Sequence, residues 1–355
     1  MPIRLTIVSL IVLVFCCIGF INKSAPIPTK VPFIVPKGWP EPVYDFKKNP
    51  LTKQGIALGK QLFYEVQLSK DGTISCGSCH QQFGAFNSYD HPLSHGIENA
   101  LTTRNAPALF NLAWQKAFMW DGGINHLDLQ PLAPITAHNE MGESIEQVLN
   151  KLRKSQSYRK AFKAAFGDET INTKRMGQAL SQFLLTMVSS NSKYDRVMNG
   201  TDSFSLPEKL GYAIFKTKCA ICHSEPLFTD LSYRNNGMPL EPYLNDFGRM
   251  TITQLAADSL KFKVPSLRNV DVSFPYGHDG RFFSLMNVFD HYRQSMQVGP
   301  TTDPILKNKL PLSNYEIGQL RAFLHTLTDS VFISDPRFAE PGIGQIGKVP
   351  IDQHN

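Results

Sequence analysis

Two pentapeptides hold the residues best suited to chemistry. Cys76-Gly77-Ser78-Cys79-His80 and Cys219-Ala220-Ile221-Cys222-His223 each set two thiols one helical turn apart, with an imidazole directly after them. At that spacing both sulfurs can form thioethers to the vinyl groups of one porphyrin, and the histidine lies on the same face to ligate its iron. A redox dithiol does not require the following histidine, and half a zinc site would leave a haem-sized apolar cavity unexplained. The pattern therefore predicts two covalently bound haem c groups, with His80 and His223 as the proximal ligands. Structural disulfides, the common use of cysteine outside the cytoplasm, are not what this spacing indicates, and Cys16 and Cys17 fall in an N-terminal apolar segment. What lies opposite each histidine decides the activity. Strong ligands on both faces make an electron carrier, whereas an open or openable face can bind peroxide.

The elements that must position these motifs occur twice. Gly59-Lys60-Gln61-Leu62-Phe63 precedes the first motif and Gly211-Tyr212-Ala213-Ile214-Phe215 the second. Arg104-Asn105-Ala106-Pro107-Ala108-Leu109 follows the first, Pro265-Ser266-Leu267-Arg268-Asn269 the second, and Trp120-Asp121-Gly122 is echoed by His278-Asp279-Gly280. Each half closes on an amphipathic helix, near Lys174–Val188 and near Asn314–Leu327. Capping boxes begin at Ser144, Ser205 and Ser313, Gly167 is a helix stop, and period-two runs are scarce. The expected fold is mainly α: two cytochrome c-like haem lobes related by internal duplication, at 51–195 and 196–340, with long loops. The boundary falls near Asn191–Ser205. Residues 26–50 are a proline-rich extended lead-in and 341–355 a tail. Residues 1–25, with Arg4 before an apolar run, read as a signal peptide or an N-terminal anchor, so the chain is expected outside the cytoplasm. Of 355 residues 42% are hydrophobic and 19% charged, as in a globular protein. The net charge of +6 includes Arg4 and Lys23 of the N-terminal segment, and haem propionates would offset most of the rest; with no Lys/Arg run, nucleic acid is not an expected partner.

In this order and spacing the motifs resemble the bacterial dihaem cytochrome c peroxidase family, which includes the dihaem maturase of methylamine dehydrogenase. The resemblance runs from about Asn49 to Asp329 and rests on both pentapeptides, Ser94-His95-Gly96, Arg104 to Pro107, Trp120-Asp121-Gly122, Gln130, Glu140-Met141, Pro265 to Asn269 and Pro275 to Gly280. It implies a peroxidase that reduces hydrogen peroxide with electrons from a small carrier such as cytochrome c or a cupredoxin. It implies that His95 caps the first haem iron and swings away on activation, and that Glu140 is the distal acid–base group, with Gln130 and Pro134 beside it. Trp120 becomes the relay between the haems, and Arg268 the partner of a haem propionate. Asn105 with the carbonyls of Ser273 and Pro275 becomes a calcium site, an oxygen set suited to that hard cation.

One position departs from the ordinary peroxidases. Fourteen residues after His278, where they carry a methionine on the second haem iron, this chain has Tyr292, as the maturase branch does. A phenolate would lower the reduction potential that a thioether raises. Met286 and Met296 are the nearby alternatives, and a plain core aromatic is the bland one. His91, His126, His138, His325 and His354 read as surface or hydrogen-bonded groups. The alternatives to a peroxidase are a maturase-like oxidase acting on a partner protein, and a dihaem electron carrier with His95 and Tyr292 permanently bound. The periplasm is the expected location, membrane anchoring an alternative mode of retention there, and a homodimer an expected assembly. Denatured protein made with a cytochrome c maturation system should weigh two haems more than the processed polypeptide; a mass with one haem or none would sink this reading.

Overall fold

Side chains that accept a backbone N–H begin the longer helices, because a first turn leaves its amides without partners. The computed structural model describes residues 27–341; the expected signal or anchor segment, and the tail beyond residue 341, lie outside the described residues. Among these residues the α-helices run in chain order α1 (Lys53–Phe63), α2 (Cys76–Cys79), α3 (Leu132–Thr136), α4 (Ile145–Lys154), α5 (Gln156–Phe166), α6 (Thr173–Leu185), α7 (Lys193–Met198), α8 (Leu206–Lys218), α9 (Met250–Thr253), α10 (Leu285–Asp290), α11 (Asn314–His325) and α12 (Ser330–Ile333). Thr52 caps α1, and Ser205 with Glu208 and Ser313 with Glu316 close the expected reciprocal boxes on α8 and α11. Ser144 accepts the N–H of Gln147 at 3.3 Å, but the return bond to its own N–H comes from Glu143, not Gln147. Gly167 ends α5 with φ at 92°. The described strands are β1 (Tyr233–Arg234) and β2 (Phe262–Lys263), an antiparallel ribbon with Tyr233 opposite Lys263. No described helix is long and apolar enough to cross a membrane.

The duplication is visible in the packing. α1 lies on α6 and α8 on α11, each pair brought close by one glycine. A Cβ on Gly59 would stand 2.0 Å from the Ala179 carbonyl oxygen and 2.8 Å from the Phe183 Cβ. A Cβ on Gly211 would stand 1.9 Å from the Gln319 carbonyl oxygen and 2.8 Å from the Phe323 Cβ. Two hydrophobic cores result. One joins Leu58, Leu62, Phe63, Phe86, Leu180 and Phe183; the other joins Phe215, Phe228, Ile317, Leu320 and Phe323. Phe332 and Phe338, which the sequence counts with the second lobe, are buried in the first core against Phe86. The end of the described chain thus crosses back and ties the two units together.

Because a carbonyl fixed in a helix cannot move aside, Gly211→Ala should cost about 1–3 kcal/mol of stability. Chemical denaturation of the haem-loaded protein measures this, and an unchanged midpoint would mean that α8 and α11 separate without penalty.

Candidate haem sites

The two proximal histidines are built alike. Each follows one turn of backbone set by its first cysteine: His80 N–H donates to the Cys76 carbonyl at 2.9 Å and His223 N–H to the Cys219 carbonyl at 3.0 Å. The His80 Nδ1 lies 2.7 Å from the Phe86 carbonyl, and the His223 Nδ1 lies 3.2 Å and 3.1 Å from those of Phe228 and Pro265. A carbonyl only accepts, so Nδ1 carries the proton in each ring and Nε2 keeps the lone pair that a metal needs. Burial pushes His80 down to about 4, partly offset by the Phe86 and Pro107 carbonyls, and pushes His223 down likewise. Both rings are therefore neutral, as iron ligation requires. Phe86 and Phe228 hold their carbonyls in place with φ at 63° and 56°, left-handed values that cost a bulky residue strain, and both rings are fully buried.

Cys76, Cys79, Cys219 and Cys222 are all unpaired. Burial pushes the Cys76 and Cys219 thiols up to about 12 and raises Cys79 and Cys222 as well. Thiols so far from ionised do not suit a redox dithiol, which works through thiolate. Two thiols, one imidazole with a free Nε2, and a glycine or alanine after the first cysteine fit a c-type haem at each motif.

The residues expected on the distal side of the first haem come from one stretch after the Trp120 turn. Pro134 lies in α3, and Gln130 just before it brings its Nε2 to 3.8 Å from the Met119 sulfur. Glu140 follows α3; its N–H donates to Ala137 at 3.0 Å and its carbonyl accepts from Ile97 at 2.8 Å. Burial alone raises its carboxyl, which lies close enough to Cys76 and Cys79 to act on both thiols. Glu140 thus belongs to the first motif's surroundings. Trp120 donates its indole N–H to the Asn105 carbonyl at 2.9 Å, and its own carbonyl accepts from Lys263 of the second unit at 2.8 Å. Tyr292 sits on a π-helical turn, His291–Ser295, that extends α10. Its phenol is raised by burial, drawn back by a hydrogen bond to Asn236, and feels Cys219 and Cys222, so it faces the second motif. A π turn is a common device for aiming a side chain at a functional site. Met296 is buried against Gly237, and Met286 packs on the second core.

His95, Arg268 and Asn105 have surroundings of their own. His95 is exposed, its ring 5.6 Å from that of His91. Its neighbours explain why: Ser94 is buried, and a Cβ on Gly96 would stand 2.2 Å and 2.6 Å from the carbonyl oxygens of Asn139 and Glu140. In an extended stretch the residue between two buried ones points outward. Arg268 is fully buried and gives its fork to Asp195 at 2.8 Å and 2.8 Å, and its Nε–H to the Pro226 carbonyl at 2.8 Å, rather than waiting at a surface for a propionate. Its counterpart in the first repeat is Phe110, a core residue, and Arg268 fills that core position with a paired charge. Asn105 donates its side-chain N–H to the carbonyls of His91 and Pro92, at 3.2 Å and 3.0 Å, and Ser273 offers its carbonyl to Asn87 Nδ2 at 2.7 Å. Among the described residues no three His, Cys, Asp or Glu side chains gather to hold a metal.

The sequence reading passed over Phe86 and Phe228, and over Asn111 and Asn269. The two asparagines are left-handed at φ 55° and 57°, and each accepts the N–H four residues past the end of its unit's late helix, from Ser189 and Asp329. Their signal is the shared offset of four from Pro107 and Pro265.

A duplicated helical frame with one such motif per half defines a dihaem c-type protein. The first half, residues 53–203, matches the family model for di-haem cytochrome c peroxidase. The methylamine utilization protein MauG of Methylophilus methylotrophus is 34% identical, covering 86% of this chain and 90% of that one. The cytochrome c551 peroxidase of Nitrosomonas europaea is 32% identical, over 81% and 84%. A crystal structure of a MauG-like protein associated with microbial copper homeostasis superposes with a TM-score of 0.78 at 30% identity, over 88% and 99%. The chain belongs to the di-haem cytochrome c peroxidase family. It is a dihaem oxidoreductase whose cofactors are two c-type haems.

With His95 facing solvent, the oxidised haem protein should show a high-spin component without prior reduction, unchanged in His95→Ala. With Tyr292 facing the second motif it should lack the near-infrared band of methionine ligation. A wholly low-spin spectrum that turns high-spin in His95→Ala would overturn the first expectation, and a methionine band would overturn the second.

Proposed function

We propose that the protein is a peroxidase, reducing hydrogen peroxide to two waters with two protons and two electrons drawn one at a time from a small carrier such as cytochrome c or a cupredoxin. The observation that carries this is Glu140: a carboxyl raised by burial alone, beside the first motif. When bound, the first haem supplies the iron at which peroxide is reduced and the second a store for one electron. Glu140 takes the proton from the near oxygen of peroxide and returns it to the departing one, so that water leaves and not hydroxide. Gln130 and Pro134 shape that pocket. Trp120 passes electrons between the units, and because its N–H is bound to a carbonyl, which cannot take a proton, it does so without proton transfer.

This reading assigns peroxide chemistry to 51–195 and electron entry to 196–340, and places the protein in the periplasm. An N-terminal anchor and a homodimer are compatible with it. It retains a calcium ion on Asn105, Ser273 and Pro275. The support is an orphaned acceptor: the buried Oδ1 of Asn87 has no partner, and the same side chain binds the Ser273 carbonyl. Tyr292 favours a second reading, a maturase-like oxidation of a partner protein, since a tyrosine facing the second motif is the feature that branch shares.

Glu140→Gln keeps the shape and removes the proton acceptor, so turnover of peroxide with reduced cytochrome c should fall roughly 10²–10⁴-fold with both haems in place. In the wild type the accepting form is lost as pH falls through the raised value, so the acid limb of the rate profile should lie above the ordinary glutamate value of 4.5. Unchanged turnover in the variant would leave Glu140 as a helix-start acid.

A further inference from the structure

The second repeat is longer than the first in the interval between motif and proline. Twenty-seven positions separate His80 from Pro107, and 42 separate His223 from Pro265. The longer interval contains the ribbon β1–β2 with α9, and the side chains of this insertion reach back to one turn of the first unit. Lys263 donates its backbone N–H to the Trp120 carbonyl at 2.8 Å. Its ammonium reaches the Gln115 Oε1 and the Ala117 carbonyl, both at 2.8 Å, on the approach to that turn. Tyr233, directly opposite Lys263 in the ribbon, sets its hydroxyl 1.8 Å from where a Cβ on Gly122 would stand; Gly122 itself has φ at +70°. Arg249 lies 4.3 Å over the Tyr233 ring, and its Nη1 donates to the carbonyls of Asp121 at 2.7 Å and Gly122 at 3.3 Å. On the other side of the turn Arg104 spans Asp121 at 2.6 Å and Asp246 of the insertion at 2.6 Å.

A two-residue ribbon has no stability of its own. It is held because it grips residues 115–122, and Trp120 lies inside the grip. We infer that the β1–β2 insertion is a clasp that fixes Trp120 for electron exchange between the two haems, with Lys263, Tyr233 and Arg249 as positioning residues. This rests on the relay role given to Trp120 above. Electron exchange is steep in distance, and a misplacement on the order of 1 Å suffices to slow a step that depends on alignment. Anchoring the relay to the second unit on three sides removes that freedom. The grip bears on the backbone of Trp120 and leaves its ring and N–H alone.

The test uses the haem-loaded full chain and reads the rate at which one photo-injected electron equilibrates between the haems, with no peroxide present. Arg249→Ala removes both carbonyl contacts and the stack on Tyr233, and Gly122→Ala wedges Tyr233 off the turn. Each should slow equilibration about tenfold or more, while the absorption spectra of both haems stay as in the wild type. Arg249→Lys, which retains the charge and one donor, should recover part of the loss. A role limited to stability would lower the melting temperature of these variants and leave the equilibration rate alone, and that outcome overturns the clasp. Trp120→Phe is the control. If it slows exchange and the two clasp variants do not, the clasp is wrong and the relay stands. If Trp120→Phe has no effect, the relay reading fails and takes the clasp with it.

Discussion

An imidazole binds iron well through one nitrogen only when the other is tied down, and in this chain the tie is a backbone carbonyl held in a strained conformation. Phe86 and Phe228 adopt left-handed φ values, a choice that costs a bulky residue about 1–3 kcal/mol. Each is offset by burying its whole ring in its unit's core, so the strain persists only as long as the core does. The prolines supply a second carbonyl on the same nitrogen: Pro107 acts on His80, and Pro265 lies 3.1 Å from His223. Four positions on, Asn111 and Asn269 turn left-handed and clamp the ends of α6 and α11 through Ser189 and Asp329. Those helices lie on Gly59 of α1 and Gly211 of α8, the helices that lead into the cysteines. Motif, carbonyl, asparagine and helix pair thus form one closed loop of constraints, built twice.

The charges inside the molecule follow a different logic. Asp195 and Arg268 are both buried, and Arg104 sits between Asp121 and Asp246 with little exposure. Removing ions from water costs so much that such pairs contribute little net stability, but breaking one strands its partner. Their effect here is geometric. Arg268 joins the second motif's loop to α7, the helix between the two units, and Trp39 of the lead-in stacks on it at 4.6 Å. Arg104 joins the loop before Trp120 to the inserted segment. Asp329, with no cation beside it, gathers N–H donors from Asn191 and Phe332 and the hydroxyl of Ser189 at the crossing between the cores. Contacts of this kind fix register between two units that hydrophobic packing alone would let slide.

Much of this frame was legible in the sequence because it depends on residue types with few uses. Two pentapeptides, the repeated glycine-to-phenylalanine helices and the serine caps led to a duplicated helical protein with one haem per half. The fold bears that out. What was illegible depends on which way a side chain points, and three cases show why. His95 lies between Ser94 and Gly96, and only the contact of Gly96 with the backbone of Asn139 and Glu140 decides that the histidine faces out. Arg268 reads as a surface cation until its repeat partner is seen to be Phe110, a core residue. Phe86 and Phe228 read as ordinary core residues, since nothing in a phenylalanine announces a left-handed backbone.

The same frame built twice can do two jobs because each unit inserts a different segment before its late helix. After Gly122 the first unit inserts α3, α4 and α5 before its late helix, and the stretch around α3 carries Gln130, Pro134 and Glu140. After Gly280 the second unit has α10 and the π turn that carries Tyr292. Burial acts on both distal residues, and with opposite chemical sense. A raised glutamate is a better proton acceptor, which suits a site that must move protons. A raised tyrosine stays a neutral phenol, with only the Asn236 hydrogen bond working toward its anion. A phenol so placed ionises beside a cation and not otherwise, and a bound ferric iron is such a cation. With a haem held at the second motif, Tyr292 would be the residue placed to supply such an anion there.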